Sequence, residues 1–168
     1  GNYSGDTTVK YTVNAQQSYK ATAAAKTYNA KNQTTKVTVK YGNTVLKRGT
    51  DYKITGVTRA KNAGKYKVTV KGINNYKGTK TIYYTINKAA QKSVKVKVNA
   101  SKKKITVSGV KAKAKVTYKS ANKKVKVKNG KITVGKGVKK GTKVRITVKV
   151  AATKNYKAYS KSIIYKVK

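Results

Sequence analysis

The sequence predicts an all-β chain: two tandem β-sandwich domains with an orphan N-terminal strand in front of them. Three observations predict it. Val, Ile and Tyr alternate with Lys and Thr at a period of two, as half-buried strands require. Turns rich in Gly and Asn interrupt these runs about every ten residues, the spacing of a sandwich. A turn-plus-strand stretch also recurs. Residues 75–87 match residues 2–14 without a gap at seven of thirteen positions. Asn155-Tyr156-Lys157 opens a looser copy that closes on Ile163-Ile164-Tyr165-Lys166-Val167. Spacings of 73 and 80 residues mark a tandem array.

Taken in order, residues 1–14 are expected to be the last strand of an upstream repeat or a donor strand for another molecule's sheet. Val9, Tyr11 and Val13 would carry such strand complementation. The first domain is expected over 15–88. Residues 15–26 read as a linker or a first irregular strand. Val37, Val39 and Tyr41 form a strand face, and Gly42-Asn43 turns the chain back into Thr44-Val45-Leu46. Arg48-Gly49-Thr50-Asp51 is a second turn, leading into Tyr52-Lys53-Ile54-Thr55. Asn62-Ala63-Gly64 turns into Tyr66–Val70, and Gly72–Gly78 leads into the repeated strand, with Ile82, Tyr84 and Ile86 on one face.

The second domain is expected over 89–168. Val94-Lys95-Val96-Lys97-Val98 alternates without a break, and Ile105-Thr106-Val107 and Val116-Thr117-Tyr118 follow. Val125–Lys128, Asn129-Gly130 and Lys131–Val134 form the clearest hairpin, because Asn-Gly suits a type I′ turn. Val144–Val150 and the closing strand complete the domain. No segment sustains a helical period.

Charge is the outlying property. The 168 residues hold 43 Lys and Arg against two acids, Asp6 and Asp51, for a net charge of +41. Only Arg48, Arg59 and Arg145 are arginine, so the cations are point charges without a guanidinium fork. Residues 15–88 carry sixteen cations against Asp51, net +15, and residues 89–168 carry +26 with no acid. Alternation puts lysines on solvent faces and strand edges, where charge blocks edge-to-edge pairing. A surface of mixed sign would do that with less self-repulsion. One-sided charge therefore points to anionic partners held by counterion release: cell-wall polymers such as teichoic acid, sulfated or sialylated glycans, extracellular DNA, and acidic lipid surfaces. The candidate binding residues are Lys95, Lys97, Lys113, Lys115, Lys124, Lys126, Lys128, Lys139 and Lys140.

The chain has no Cys, His, Glu, Met, Trp, Phe or Pro. That removes disulfides, thiolate chemistry and the usual neutral-pH acid–base groups. No cofactor or metal site is expected, because its ligands are missing. Asp51 reads as a turn former. Apolar runs are too short for a transmembrane helix or a signal-peptide core. Tyr41, Tyr52, Tyr66, Tyr84, Tyr118 and Tyr165 are expected to alternate into the core rather than stack bases.

Thr35–Lys40, Leu46-Lys47-Arg48-Gly49-Thr50-Asp51-Tyr52, Asn62-Ala63-Gly64 and Gly72–Thr79 resemble the bacterial Ig-like repeats carried in tandem on Gram-positive surface and secreted proteins. Val116–Asn122, Gly130–Val134 and Gly141–Val144 are similar to the related type 2 module. The resemblance implies Ig-like sandwiches, an extracellular or cell-surface location, and a non-enzymatic structural or adhesive role. Two further roles are open to such a chain: a filament subunit that self-associates head to tail through residues 2–14, and a non-specific nucleic-acid binder.

Overall fold

The computed structural model describes residues 18–168. Residues 1–17 lie outside them, and with them Val9, Tyr11 and Val13. The described chain is all-β, as the alternation predicts, with a single 3₁₀ turn at Lys111–Lys113. The early strands are β1 (Lys20–Ala23), β2 (Lys26–Thr27), β3 (Gln33–Thr34), β4 (Val37–Tyr41), β5 (Thr44–Val45), β6 (Tyr52–Gly56), β7 (Arg59–Ala60), β8 (Gly64–Gly72) and β9 (Thr79–Asn87). There follow β10 (Lys95–Asn99), β11 (Lys104–Ser108), β12 (Val116–Ser120), β13 (Val125–Lys128), β14 (Lys131–Val134), β15 (Lys143–Val150) and β16 (Tyr159–Lys166). They pair in the orders β1-β4-β5, β2-β9-β8-β6, β3-β7, β10-β11-β14-β13 and β12-β15-β16. Among the described residues no helix is long and apolar enough to cross a membrane.

Packing divides the chain into two compact units. Unit 1 takes residues 18–25, Thr34–Ala60 and Lys65–Thr85; unit 2 takes Lys26–Gln33, Lys61–Gly64 and Ile86–Lys168. In unit 1, Tyr19, Val39, Leu46, Tyr52 and Val70 form the buried cluster, with Ala21, Val37, Ile54, Tyr76 and Ile82 against it. The irregular first segment is a true strand: β1 pairs with β4 from Lys20↔Lys40 to Ala23↔Val37. Gly42, at φ 56°, opens the turn between β4 and β5, the position where a type II′ hairpin needs glycine.

Tyr19 holds unit 1 together in a way its sequence position does not advertise. Its ring is 1% exposed. Its hydroxyl lies 2.8 Å from Val70 O and 2.8 Å from Gly78 O, and accepts the Gly72 N–H at 3.0 Å. One proton serves one of the two carbonyls at a time, so the group is fully used. Gly72 answers to the same ring: a Cβ there would meet Tyr19 Cε1 at 2.8 Å and Tyr76 O at 2.8 Å. Tyr41, expected in the core, is 41% exposed. It is the last residue of β4, where the strand has run past the cluster, and its ring leans on Tyr76 at 6.0 Å.

Unit 2 is a sandwich. Val96, Ile105, Val125 and Ile132 from one sheet and Val144, Ile146, Val148, Val150 and Tyr165 from the other close on one core. β15 is its spine, burying Val144, Ile146, Val148 and Val150 in strict alternation. The β13–β14 turn is the predicted I′ turn, with Asn129 at φ 49° and Gly130 at φ 79°. Gln91 is buried at 3% exposure. Its Nε2 reaches Ala151 O and Lys157 O at 3.4 Å each, and its Oε1 accepts the Lys111 N–H at 3.1 Å. Unit 2 also gathers earlier chain around the Asn155-Tyr156 turn. Asn155 Oδ1 accepts the Ala63 N–H at 2.8 Å, its Nδ2 donates to Asn62 Oδ1 at 3.0 Å, and Tyr28 meets Tyr156 edge-on at 5.3 Å.

The recurring strand has one burial pattern in both described copies. Tyr84 and Ile86 are buried and Tyr83 is 50% exposed; Tyr165 and Val167 are buried and Ile164 is 53% exposed.

Candidate polyanion-binding surface

Strand alternation decides where the lysines go. Among the described residues every lysine except the half-buried Lys26 is exposed, because most strand lysines stand beside a Val, Ile or Tyr that takes the inward face, while Lys80 and Lys161, flanked by Thr and Ser, lie near the starts of their strands. Asp51 is the sole acid among those residues, and it is engaged locally. Its Oδ2 accepts the Lys47 N–H at 2.6 Å, its N–H donates to Lys47 O at 2.8 Å, and its carbonyl accepts the Ile73 N–H at 2.9 Å. That is a turn-forming role. Among the described residues no three acidic, Cys or His side chains gather into a metal-binding group.

The nine lysines expected to bind polyanions divide into two sets. Lys95 and Lys97 stand on β10 and Lys126 and Lys128 on β13, all on the solvent face of one sheet, opposite the buried Val96 and Val125. Lys113 ends the 3₁₀ turn, Lys115 and Lys124 precede strands, and Lys139 and Lys140 lie between β14 and β15. These five are exposed but lie outside any strand.

Sequence reasoning missed Lys104 and Lys131. They occupy the two inner strands of that same sheet. Lys104 pairs with Asn99 of β10 and with Lys131 of β14, and Lys131 pairs with Lys128 of β13. Ile105 and Ile132 beside them are buried, which sends all three lysines to the outer face. The Lys128↔Lys131 step was legible from the Asn-Gly turn. The Lys104↔Lys131 step joins two separate hairpins, and no local signal encodes it. Its backbone seam is short: Ile105 N–H to Gly130 O at 2.7 Å and Ile132 N–H to Lys103 O at 2.8 Å.

Like charges directly opposite on a sheet cost stability, by a few tenths to about 1 kcal/mol each. The chain accepts this repeatedly. Lys20↔Lys40, Lys53↔Lys71 and Lys143↔Lys166 are doublets of the same kind. Beside the β13 lysines a groove of about 530 Å³ is lined by Tyr118, Lys119, Ser120, Lys123, Lys126 and Lys128, among others. Burial pushes the Tyr118 hydroxyl above its ordinary pKa, so it stays neutral beside these cations at physiological pH. Tyr83 is an exposed aromatic of unit 1, and Lys65 Nζ sits 4.4 Å from its ring centroid.

The chain matches no family model, no curated protein and no solved structure.

Proposed function

We propose that the protein is a non-enzymatic structural and adhesive segment of a bacterial surface or extracellular fibre, built from tandem bacterial Ig-like domains. On this reading its lysine faces hold anionic polymers without strict stereochemical choice. The observation that carries the proposal is the exposure of one-signed charge: a net +41 displayed on solvent faces, including like-charge pairs that cost the fold stability. Lysine rather than arginine suits diffuse attraction over bidentate recognition. The sequence motifs at Gly49-Thr50-Asp51-Tyr52 and Gly130–Val134 support the Ig-like assignment and the extracellular location that goes with it.

The test is a salt titration of binding to teichoic acid and to heparin. Binding by counterion release gives a linear fall of log K with log salt and a loss of about 10³-fold or more between 50 and 200 mM salt for six or more contacts. Affinity that stays constant across that range removes the proposal.

A further inference from the structure

We propose that Lys104, Lys131 and Lys128 form a single binding row for an acidic polysaccharide, one with an anionic group on each sugar ring, laid across the strands of unit 2. This rests on the polyanion-binding reading and gives it a place and a ligand class.

The row follows from register alone. Asn99, Lys104, Lys131 and Lys128 are successive cross-strand partners on β10, β11, β14 and β13. All four residues are exposed. The registers also make the sheet stepped. From the row, β10 and β11 extend to one side, carrying Lys95 and Lys97, while β13 and β14 extend to the other, carrying Lys126. The row is therefore the line along which the two hairpins meet. Its three lysines sit one strand apart, roughly 4.8 Å per step, so they span about 10 Å.

The make-up of the face selects a ligand. Three cations in line suit a linear chain that carries an anionic group on each sugar ring. The face lacks what single-stranded nucleic acid uses. Its outward residues are Lys, Thr, Ser and Asn, with no aromatic ring to stack a base and no Arg. Asn99 at the end of the row supplies an amide next to the cations, and the Thr106 and Thr133 hydroxyls face the same side, groups suited to sugar hydroxyls.

The experiment uses the full chain and three probes at matched charge: a polygalacturonate oligomer, a heparin fragment and single-stranded DNA. Two triple variants are compared. One is Lys104→Gln, Lys131→Gln, Lys128→Gln; the other neutralises Lys20, Lys53 and Lys161, which share no row. The row variant is expected to weaken polysaccharide binding at least tenfold and to lower the salt slope by about three. The scattered variant is expected to lose about twofold. Equal losses in the two variants overturn the row and leave the diffuse reading standing. Absence of wild-type binding to any probe overturns both. DNA bound more tightly than both polysaccharides, with equal dependence on the row, overturns the ligand class. Folding is checked by thermal melting, where the row variant should match or exceed the wild type because it relieves repulsion.

Discussion

In unit 1 the chain just ahead of the first strand is fastened by a tyrosine; in unit 2 the corresponding job falls to a glutamine. Tyr19 ties the end of β8 (Val70 and Gly72) to Gly78 beyond the Asn75-Tyr76 turn. Gln91 ties the end of β15, at Ala151, to Lys157 beyond the Asn155-Tyr156 turn. The places joined are equivalent to within one residue by the repeat, but the chemistry differs. Tyr19 contributes a large buried ring and contacts of 2.8–3.0 Å. Gln91 contributes no ring and reaches its carbonyls at 3.4 Å. The ring has a further consequence. Gly72 must be glycine to admit it, whereas the equivalent position in unit 2, eighty residues on, is the exposed Ala152. One backbone plan thus accepts either a packed or a purely hydrogen-bonded fastener.

The largest effect should come from removing the ring. Tyr19→Ala empties the centre of the unit 1 cluster and should cost about 3–5 kcal/mol, the range for large aromatic truncation. Hydrogen exchange should accelerate at Val68 and Val70 while Ile146 and Val148 keep their protection. Loss of protection in both sets would break the assignment of Tyr19 to unit 1 alone. Gly72→Ala comes next, at about 1–3 kcal/mol, because its methyl meets backbone as well as the ring. Ala152→Gly in unit 2 should change stability by less than about 1 kcal/mol.

Polar substitutions separate the fasteners further. Tyr19→Phe keeps the ring and removes the hydroxyl's 2.8 Å contacts with Val70 O and Gly78 O, while the Gly72 N–H keeps Gly78 O at 3.0 Å; it should cost about 1–2 kcal/mol. Gln91→Leu keeps most of the volume and gives up two bonds of 3.4 Å to carbonyls and the 3.1 Å bond from the Lys111 N–H; on bond length its cost should be smaller, about 1 kcal/mol. Chemical denaturation of both variants orders them. A Gln91→Leu cost equal to or above that of Tyr19→Phe would show that bond length is a poor guide to the strength of the two fasteners.

Neither fastener was legible in the sequence, for the same physical reason that hid the lysine row. Period-two alternation reports which face a residue takes, and it placed Tyr52, Tyr84 and Tyr165 correctly in the core. Local turn chemistry reports who pairs across a hairpin, and Asn129-Gly130 gave Lys128↔Lys131. Tyr19 bonds residues more than fifty positions away, and Gln91 spans sixty or more to Ala151 and Lys157. Lys104↔Lys131 joins separate hairpins. Contacts at that range depend on how sheets are ordered, which no window of neighbouring residues records. Tyr41 failed in the opposite sense: its parity was right, but its strand ended beyond the core.

The smallest expected effects concern what the two units share. Tyr84 and Tyr165 hold the same position of the repeated strand, and both bury a hydroxyl that has no hydrogen-bond partner. An unpaired buried hydroxyl is a cost, so Tyr84→Phe and Tyr165→Phe should each leave stability unchanged or raise it by up to about 1 kcal/mol. The sign is opposite to that of Tyr19→Phe, which makes the three tyrosines a set. For Tyr84 pH gives a second handle. Burial, helped by the neighbouring Tyr66 phenol, raises its pKa above the ordinary value of 10.0. The folded state therefore holds the phenolic proton more tightly than the unfolded chain does. That contribution is complete below about pH 10 and is lost as pH climbs from there through the raised folded value. Lysines lose charge over the same range, so the wild-type profile mixes both effects. The difference between wild type and Tyr84→Phe isolates the phenol. Near neutral pH the variant should equal or slightly exceed the wild type, and its advantage should widen above pH 10. An advantage that stays flat with pH would mean that Tyr84 ionises as easily in the fold as out of it.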